Sequence, residues 1–191
     1  FNNYSYGNIR DDADVLTGFS FRFLSQWNGG VSQGMRTGND KGVFPDNVMR
    51  TSFHNYNAGN HVIQFEGLNP AKRYSIGFLT NVNTGAVSQV TFTNGTQSVV
   101  IDGRYNSTTL ANLNGLIPNA SGIIQVTISK AAANIILCLN GLVIREYDPA
   151  DPVIRPADLF AETLLQTDRI KLTWSDRSSN ETGFEIWRST S

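Results

Sequence analysis

Apolar and polar residues alternate along this chain in short runs, the period-2 signature of half-buried β-strands. Phe19-Ser20-Phe21-Arg22-Phe23 sets three rings on one face. Tyr74, Ile76 and Phe78 repeat the spacing, as do Ile124, Val126 and Ile128. Residues 89–101 predict a hairpin: β-branched flanks surround Asn94-Gly95, which supplies the two positive-φ positions of a type I′ turn. That turn would pair Thr93 with Thr96 and Val90 with Val99. Ile135 to Ile144 is nearly all apolar and predicts a central strand buried on both faces, with Gly141 as a bulge. Asn140-Gly141 as a hairpin turn is the alternative, at the expense of short half-strands. One helical turn fits Pro45-Asp46-Asn47-Val48, and no longer helical window competes. Short strands with frequent turn signals predict an all-β chain, an antiparallel sandwich or jelly roll.

Charge divides the chain. Up to Asp148 there are 10 basic and 9 acidic residues; the last 43 positions hold 5 and 7. The join, Asp148-Pro149-Ala150-Asp151-Pro152-Val153-Ile154-Arg155-Pro156, has three prolines that each fix φ and lack a donor, so it reads as a semi-rigid linker. The expected layout is a β-sandwich over 1–148, a linker over 149–156 and a smaller β unit over 157–191. A formal net charge of −1 speaks against a nucleic-acid partner. One cysteine excludes a disulfide framework, and no apolar run is long enough for a membrane-spanning helix. The start at Phe1, without Met, predicts a processed chain or one cut from a longer protein.

Three segments carry a resemblance: Thr37 to Val48, Gly67 to Tyr74, and Leu139 to Tyr147. In this order and spacing the first region resembles the galactose-binding-like jelly-roll modules of secreted, multi-modular bacterial proteins, polysaccharide-degrading ones above all. The chain has Leu79-Thr80-Asn81 where that family often carries an aromatic-Ser-Arg segment. Ile170 to Asp176, followed by Asn180 to Ser189 and preceded by Leu159-Phe160-Ala161, is similar to the opening of a bacterial fibronectin type III domain. The resemblances imply a secreted or cell-surface protein in which a carbohydrate-binding module and a truncated, three-strand (A, B, C) fibronectin-like segment accompany a tethered catalytic module.

Sugar recognition uses aromatic plates against apolar C–H faces and a few placed polar groups. Outside the alternating core, Trp27, Tyr56 and Tyr105 lie in turn-rich segments beside Asn28, Asn55, Asn57, Arg104 and Asn106. Trp27, in Gln26-Trp27-Asn28-Gly29-Gly30, is expected to be exposed. A single loop aromatic more often packs than binds; the coincidence of three makes polysaccharide the expected ligand. Asn39, Asp40 and Asp46 could donate oxygens to a structural Ca²⁺. The same residues also build turns, and Asp46 suits a helix cap. Arg10-Asp11-Asp12-Ala13-Asp14 is a second acidic cluster, equally suited to a solvated loop. The acids Glu66, Asp102 and Glu146 adjoin turns without the paired arrangement that glycoside hydrolysis needs, so no enzymatic activity is expected. The alternative function is a structural spacer or adhesion module without a small ligand.

The 43 residues after Asp148 fall short of the roughly 100 that a seven-stranded sandwich needs. Alternation turns Ile170, Leu172 and Trp174 to one face, with Phe184 and Ile186 opposite. Leaving these five in water forfeits on the order of 7–15 kcal/mol of burial. The expectation is a cover for that face: the same segment of a second copy in a homodimer, or the flank of the first domain.

Overall fold

The structure, a computed structural model, describes residues 4–57, 59–95, 97–131, 136–149, 156–163, 170–175 and 183–186. The chain opens with β1 (Ser5–Tyr6), β2 (Ser20–Phe23) and β3 (Gly29–Val31), then the short helix α1 (Asp46–Arg50). It continues through β4 (Ser52–Asn55), β5 (His61–Glu66), β6 (Arg73–Leu79), β7 (Gln89–Asn94) and β8 (Gln97–Asp102). There follow β9 (Ala111–Leu116), β10 (Ile124–Lys130), β11 (Leu137–Leu139) and β12 (Gly141–Tyr147). A further pair is β13 (Ala157–Thr163) and β14 (Ile170–Ser175).

All ladders between these strands are antiparallel. One sheet has the order β1-β2-β5-β10-β7-β8. Two three-stranded sheets, β12-β6-β9 and β11-β4-β3, complete the sandwich. The alternating side chains meet in one core: Phe23, Ile63, Phe65, Val90, Phe92, Val126 and Ile128 from the large sheet face Tyr74, Ile76, Phe78, Leu113 and Leu137. Phe78 and Phe92 stack across the layers with centroids 4.4 Å apart and planes 12° from parallel. The all-β expectation is met.

Three local expectations change. The hairpin forms, but Asn94 pairs with Gln97, Thr93 with Ser98 and Val90 with Ile101, so the turn falls one residue later than the Asn-Gly reading put it. Thr96 lies outside the described residues. Gly95, at φ 54°, now opens the turn. Each partner moves by two residues, an even shift, so the same side chains keep the core face.

The apolar run after residue 135 is neither one bulged central strand nor a hairpin. It divides at Asn140: β11 pairs with β4, whereas β12 pairs with β6 in a different sheet. Leu137 to Leu139 are buried, whereas Leu142, Val143 and Ile144 are only half-buried, so the continuous apolarity told of burial on both faces for β11 alone and not which sheet either strand joins. Ile135 itself lies outside the described residues.

The third correction concerns Asp46. It is the first residue of α1 rather than its cap; Pro45 holds the cap position, without a side-chain hydrogen bond.

In the C-terminal region β13 and β14 pair with Ala161 opposite Leu172 and Thr163 opposite Ile170. The third strand expected there is not among the described residues: 183–186 carry no strand. Phe184 stands edge-on to Trp174 at 5.1 Å. Leu159 is 70% and Ile170 63% exposed in the single chain.

Candidate functional site

After β3 the chain runs over α1 as a strap, residues 32–38, and each anchor of that strap has a specific cause. The Gly34 amide donates to the Arg50 carbonyl at 3.0 Å. A Cβ at Gly34 would stand 1.9 Å from the Met49 carbonyl oxygen, so only glycine lets the strap lie this close to the helix. Met35 is gripped from both sides by the buried Asn81 amide: its N–H donates to Asn81 Oδ1 at 3.0 Å, and Asn81 Nδ2 donates to its carbonyl at 2.8 Å. Asn140, at the division between β11 and β12, accepts the Asn81 amide proton at 2.7 Å and donates to the Met49 carbonyl at 2.8 Å. The Asn83 amide donates to the Gln33 carbonyl at 2.8 Å.

The far end of the strap is held by Asp46. Its Oδ1 accepts from the Thr37 amide at 2.7 Å and the Thr37 hydroxyl at 2.8 Å, and its Oδ2 from the Gly38 amide at 2.7 Å. Desolvation pushes this carboxyl up, but those hydrogen bonds outweigh it and hold it below the usual carboxylate range. Asp40 Oδ1 accepts from the Asp46 amide at 2.7 Å, and Asn39 Oδ1 from the Lys41 amide at 3.2 Å. The expected calcium ligands Asn39, Asp40 and Asp46 each accept hydrogen bonds from N–H or O–H donors of their own loop. Among the described residues no group of three or more His, Cys, Asp and Glu side chains gathers into a metal-binding cluster. In the other acidic cluster Asp11 Oδ1 accepts from the Ala13 and Val15 amides, and Arg10 pairs with Asp14 at 3.5 Å.

The predicted aromatic plates do not converge. Trp27, expected exposed, is 1% exposed and packs on Phe23 and His61, with centroids at 5.2 and 5.4 Å. It lies in the segment joining β2 to β3, and its indole falls back onto the core, so it offers no plate. Tyr56 is 50% exposed and stands edge-on to His54. Tyr105, 53% exposed, is held at φ 49°, its hydroxyl 3.7 Å from where a Cβ on Gly85 would be. Arg104 is taken by Asp102: its Nε donates to Oδ2 at 2.7 Å and holds that carboxyl below its usual range. Asn106 is buried, its amide donating to the Thr80 and Thr109 carbonyls and accepting from the Thr108 and Thr109 amides. Asn28 and Asn55 are likewise spent on backbone, accepting from the Tyr56 and Asn57 amides.

Open recesses lie instead in succession across this face, the first along the strap and the second touching it at Ser32. The first, about 810 Å³, is lined by Ser32, Arg36, Thr37, Asn47, Arg50 and Asn83 among others. A second, about 660 Å³, shares Ser32 with it and reaches Phe53, Leu139 and Asn140. A third, about 480 Å³, shares those last three and ends on Tyr6, Phe21 and Leu142. Tyr6 stacks on Phe21 at 4.9 Å. Through these shared residues the recesses follow one another, from a polar lining with Arg36, Arg50 and Asp46 to an aromatic one with Tyr6, Phe21 and Phe53. Residues 32–36 and Arg50 carried no sequence motif, while Thr37 and Gly38 open the first of the segments that carry the resemblance. Comparison with protein-family models, curated proteins and solved structures finds no match.

Proposed function

We propose that the β-sandwich is a non-catalytic carbohydrate-binding module, and that these successive recesses form the groove in which a glycan chain lies. The observation that carries this reading is the sharing of lining residues between successive recesses, Ser32 at one junction and Phe53, Leu139 and Asn140 at the next. An open, elongated groove suits a linear polymer more than a single enclosed sugar. Its chemistry supports the same reading, with amides and guanidinium groups to orient hydroxyls and an aromatic end to meet C–H faces.

A binding role without catalysis is supported by the state of the carboxylates. Glu66 pairs with Arg22 at 3.4 Å, Asp102 with Arg104, and Glu146 accepts from the Tyr74 hydroxyl at 2.5 Å. Each acid has its own neighbour, whereas glycoside hydrolysis uses two that act on one bond. In this reading the chain belongs to a secreted or cell-surface protein, β13 and β14 begin a fibronectin-like spacer, and weak binding gains effect through tethering to a catalytic module.

The test is affinity electrophoresis over plant, algal and bacterial glycans. Retention on at least one is expected, lost in Ser32→Trp, which fills the junction of two recesses from an exposed position, and kept in Tyr105→Ala. Silence over the whole panel would overturn the reading and leave a structural spacer. Retention unaffected by Ser32→Trp would overturn the groove as the site.

A further inference from the structure

Arg36 and Arg50 both line the first recess, one on the strap and the other closing α1. Arg10, Arg22, Lys72 and Arg104 each sit within ion-pair distance of a carboxylate, whereas neither Arg36 nor Arg50 has an ion-pair or hydrogen-bond partner for its side chain among the described residues. The acid in the recess, Asp46, has both oxygens engaged by Thr37 and Gly38. The recess is therefore lined by two guanidinium groups that make no ion pair and by one carboxylate whose oxygens are held by neutral donors, which leaves a net positive lining for an entering anion.

The backbones that carry the two arginines are fixed before any ligand arrives. Gly34 is hydrogen-bonded to the Arg50 carbonyl, and Arg36 lies between two anchored residues, Met35 on Asn81 and Thr37 on Asp46. Preorganised backbones lower the ordering cost of binding. Guanidinium groups match planar or tetrahedral oxyanions through paired N–H donors, which a lysine ammonium does not reproduce. The neighbours Ser32, Asn47 and Asn83 add donors and acceptors of the kind that meet sugar hydroxyls.

We propose that the Arg36–Arg50 recess is an oxyanion subsite, so that the ligand is an acidic polysaccharide bearing carboxylate or sulfate groups. This rests on the carbohydrate-binding reading above. Both sources of charge present the same oxygens to the arginines, and separate probes distinguish them.

The experiment is affinity electrophoresis of the full chain on polygalacturonate, κ-carrageenan and neutral galactan. Four variants accompany it: Arg36→Gln/Arg50→Gln, Arg50→Lys, Arg145→Gln as an exposed cation outside the groove, and Ser32→Trp. Retention is expected on polygalacturonate, on carrageenan, or on both, which names the carboxylate or the sulfate as source. The double variant is expected to bind about tenfold more weakly or worse, as loss of a charge-assisted contact implies, with an unchanged melting temperature. Arg50→Lys should lose much of the affinity and Arg145→Gln none. Retention on galactan that Ser32→Trp abolishes and the double arginine variant does not would overturn this inference while the groove reading stands. Equal loss in Arg145→Gln would reduce the effect to general polyelectrolyte attraction and overturn it. Silence on all three probes would overturn it too, and silence over the wider glycan panel would remove the groove reading with it.

Discussion

Replacing Asn81 by alanine removes the clamp that joins the strap to the sandwich. The side chain is fully buried, and its amide serves both backbone polar groups of Met35 as well as the Met49 carbonyl, the last at 3.4 Å. Met49 keeps a partner, because Asn140 also donates to its carbonyl. Met35 loses both. Leaving a buried donor or acceptor unmade costs about 1–3 kcal/mol. Two such groups, one at each end of the same peptide residue and partly accessible to water, put the expected loss at about 2–5 kcal/mol, a large share of the roughly 5–15 kcal/mol that holds a domain folded. Urea unfolding followed by near-ultraviolet circular dichroism measures it. The reasoning also fixes the response to an isosteric change. In Asn81→Asp one oxygen can still accept from the Met35 amide, but the other faces the Met35 carbonyl without a proton and buries a charge. Aspartate is therefore expected to be at least as damaging as alanine. A loss below about 0.5 kcal/mol for alanine, within the range of ordinary surface substitutions, would refute the clamp. So would an aspartate variant as stable as the wild type.

Three further outcomes follow from the same structure. Trp27→Ala should cost about 3–5 kcal/mol as a core truncation, while Trp27→Phe should retain glycan binding in affinity electrophoresis; a selective loss of binding in the stable Phe variant would restore the indole as a plate. Burial, helped by the charge of Lys130, pushes His61 below its ordinary value of 6.5, against the pull of the nearby Gln26 and Asn57 backbone carbonyls on the charged ring. The unfolded chain then binds the proton more tightly, so the stability is complete above about pH 6.5 and falls as pH drops from there through the folded value. A series of melting temperatures against pH should show this slope, and His61→Gln should flatten it. Gly34→Ala must displace the strap from the Met49 carbonyl, so it should weaken retention on an acidic glycan with Arg36 and Arg50 both intact; unchanged retention would mean that the strap need not lie so close.

The sandwich was legible because a half-buried strand imposes period 2 on its sequence. In β5, β6, β7 and β10 the alternating apolar residues are the ones that reach the core. What remained illegible depends on contacts between distant segments. The apolar run told of burial only as far as Leu139, and its division between two sheets falls at Asn140, whose amide reaches Asn81 and Met49. Trp27 sits among turn residues, and nothing in those neighbours reveals that the indole folds onto Phe23. Asn106 and Arg104 have the composition of a sugar site and spend their groups on the backbone and on Asp102. Arg36 and Arg50 are brought to one recess by a glycine against a carbonyl, a contact with no motif of its own.

The β13–β14 ribbon is where local pattern and packing part company, and that conflict is itself measurable. Its ladder runs from Ala157 opposite Ser175 to Thr163 opposite Ile170, with a register shift between Ala157 and Phe160. Two strands without a covered apolar face are marginal in water. Leu159 and Ile170 lie more than half exposed in the single chain, and Phe184 meets only the edge of Trp174 among the described rings. Each large aliphatic side chain left in water forgoes about 1.5–3 kcal/mol, so any partner that covers the face gains on that scale. If a second copy is the cover, mass action links the order of the ribbon to protein concentration. Amide hydrogen exchange separates the cases, since the sandwich strands serve as an internal standard whose protection should not depend on concentration. Protection of residues 160–163 and 170–175 is expected to be slight in dilute chain and to rise with concentration. Full protection at the lowest concentration would show that the sandwich itself, or the ribbon alone, supplies the missing burial and would refute self-association as its source. Protection that stays slight at every concentration would refute it as well.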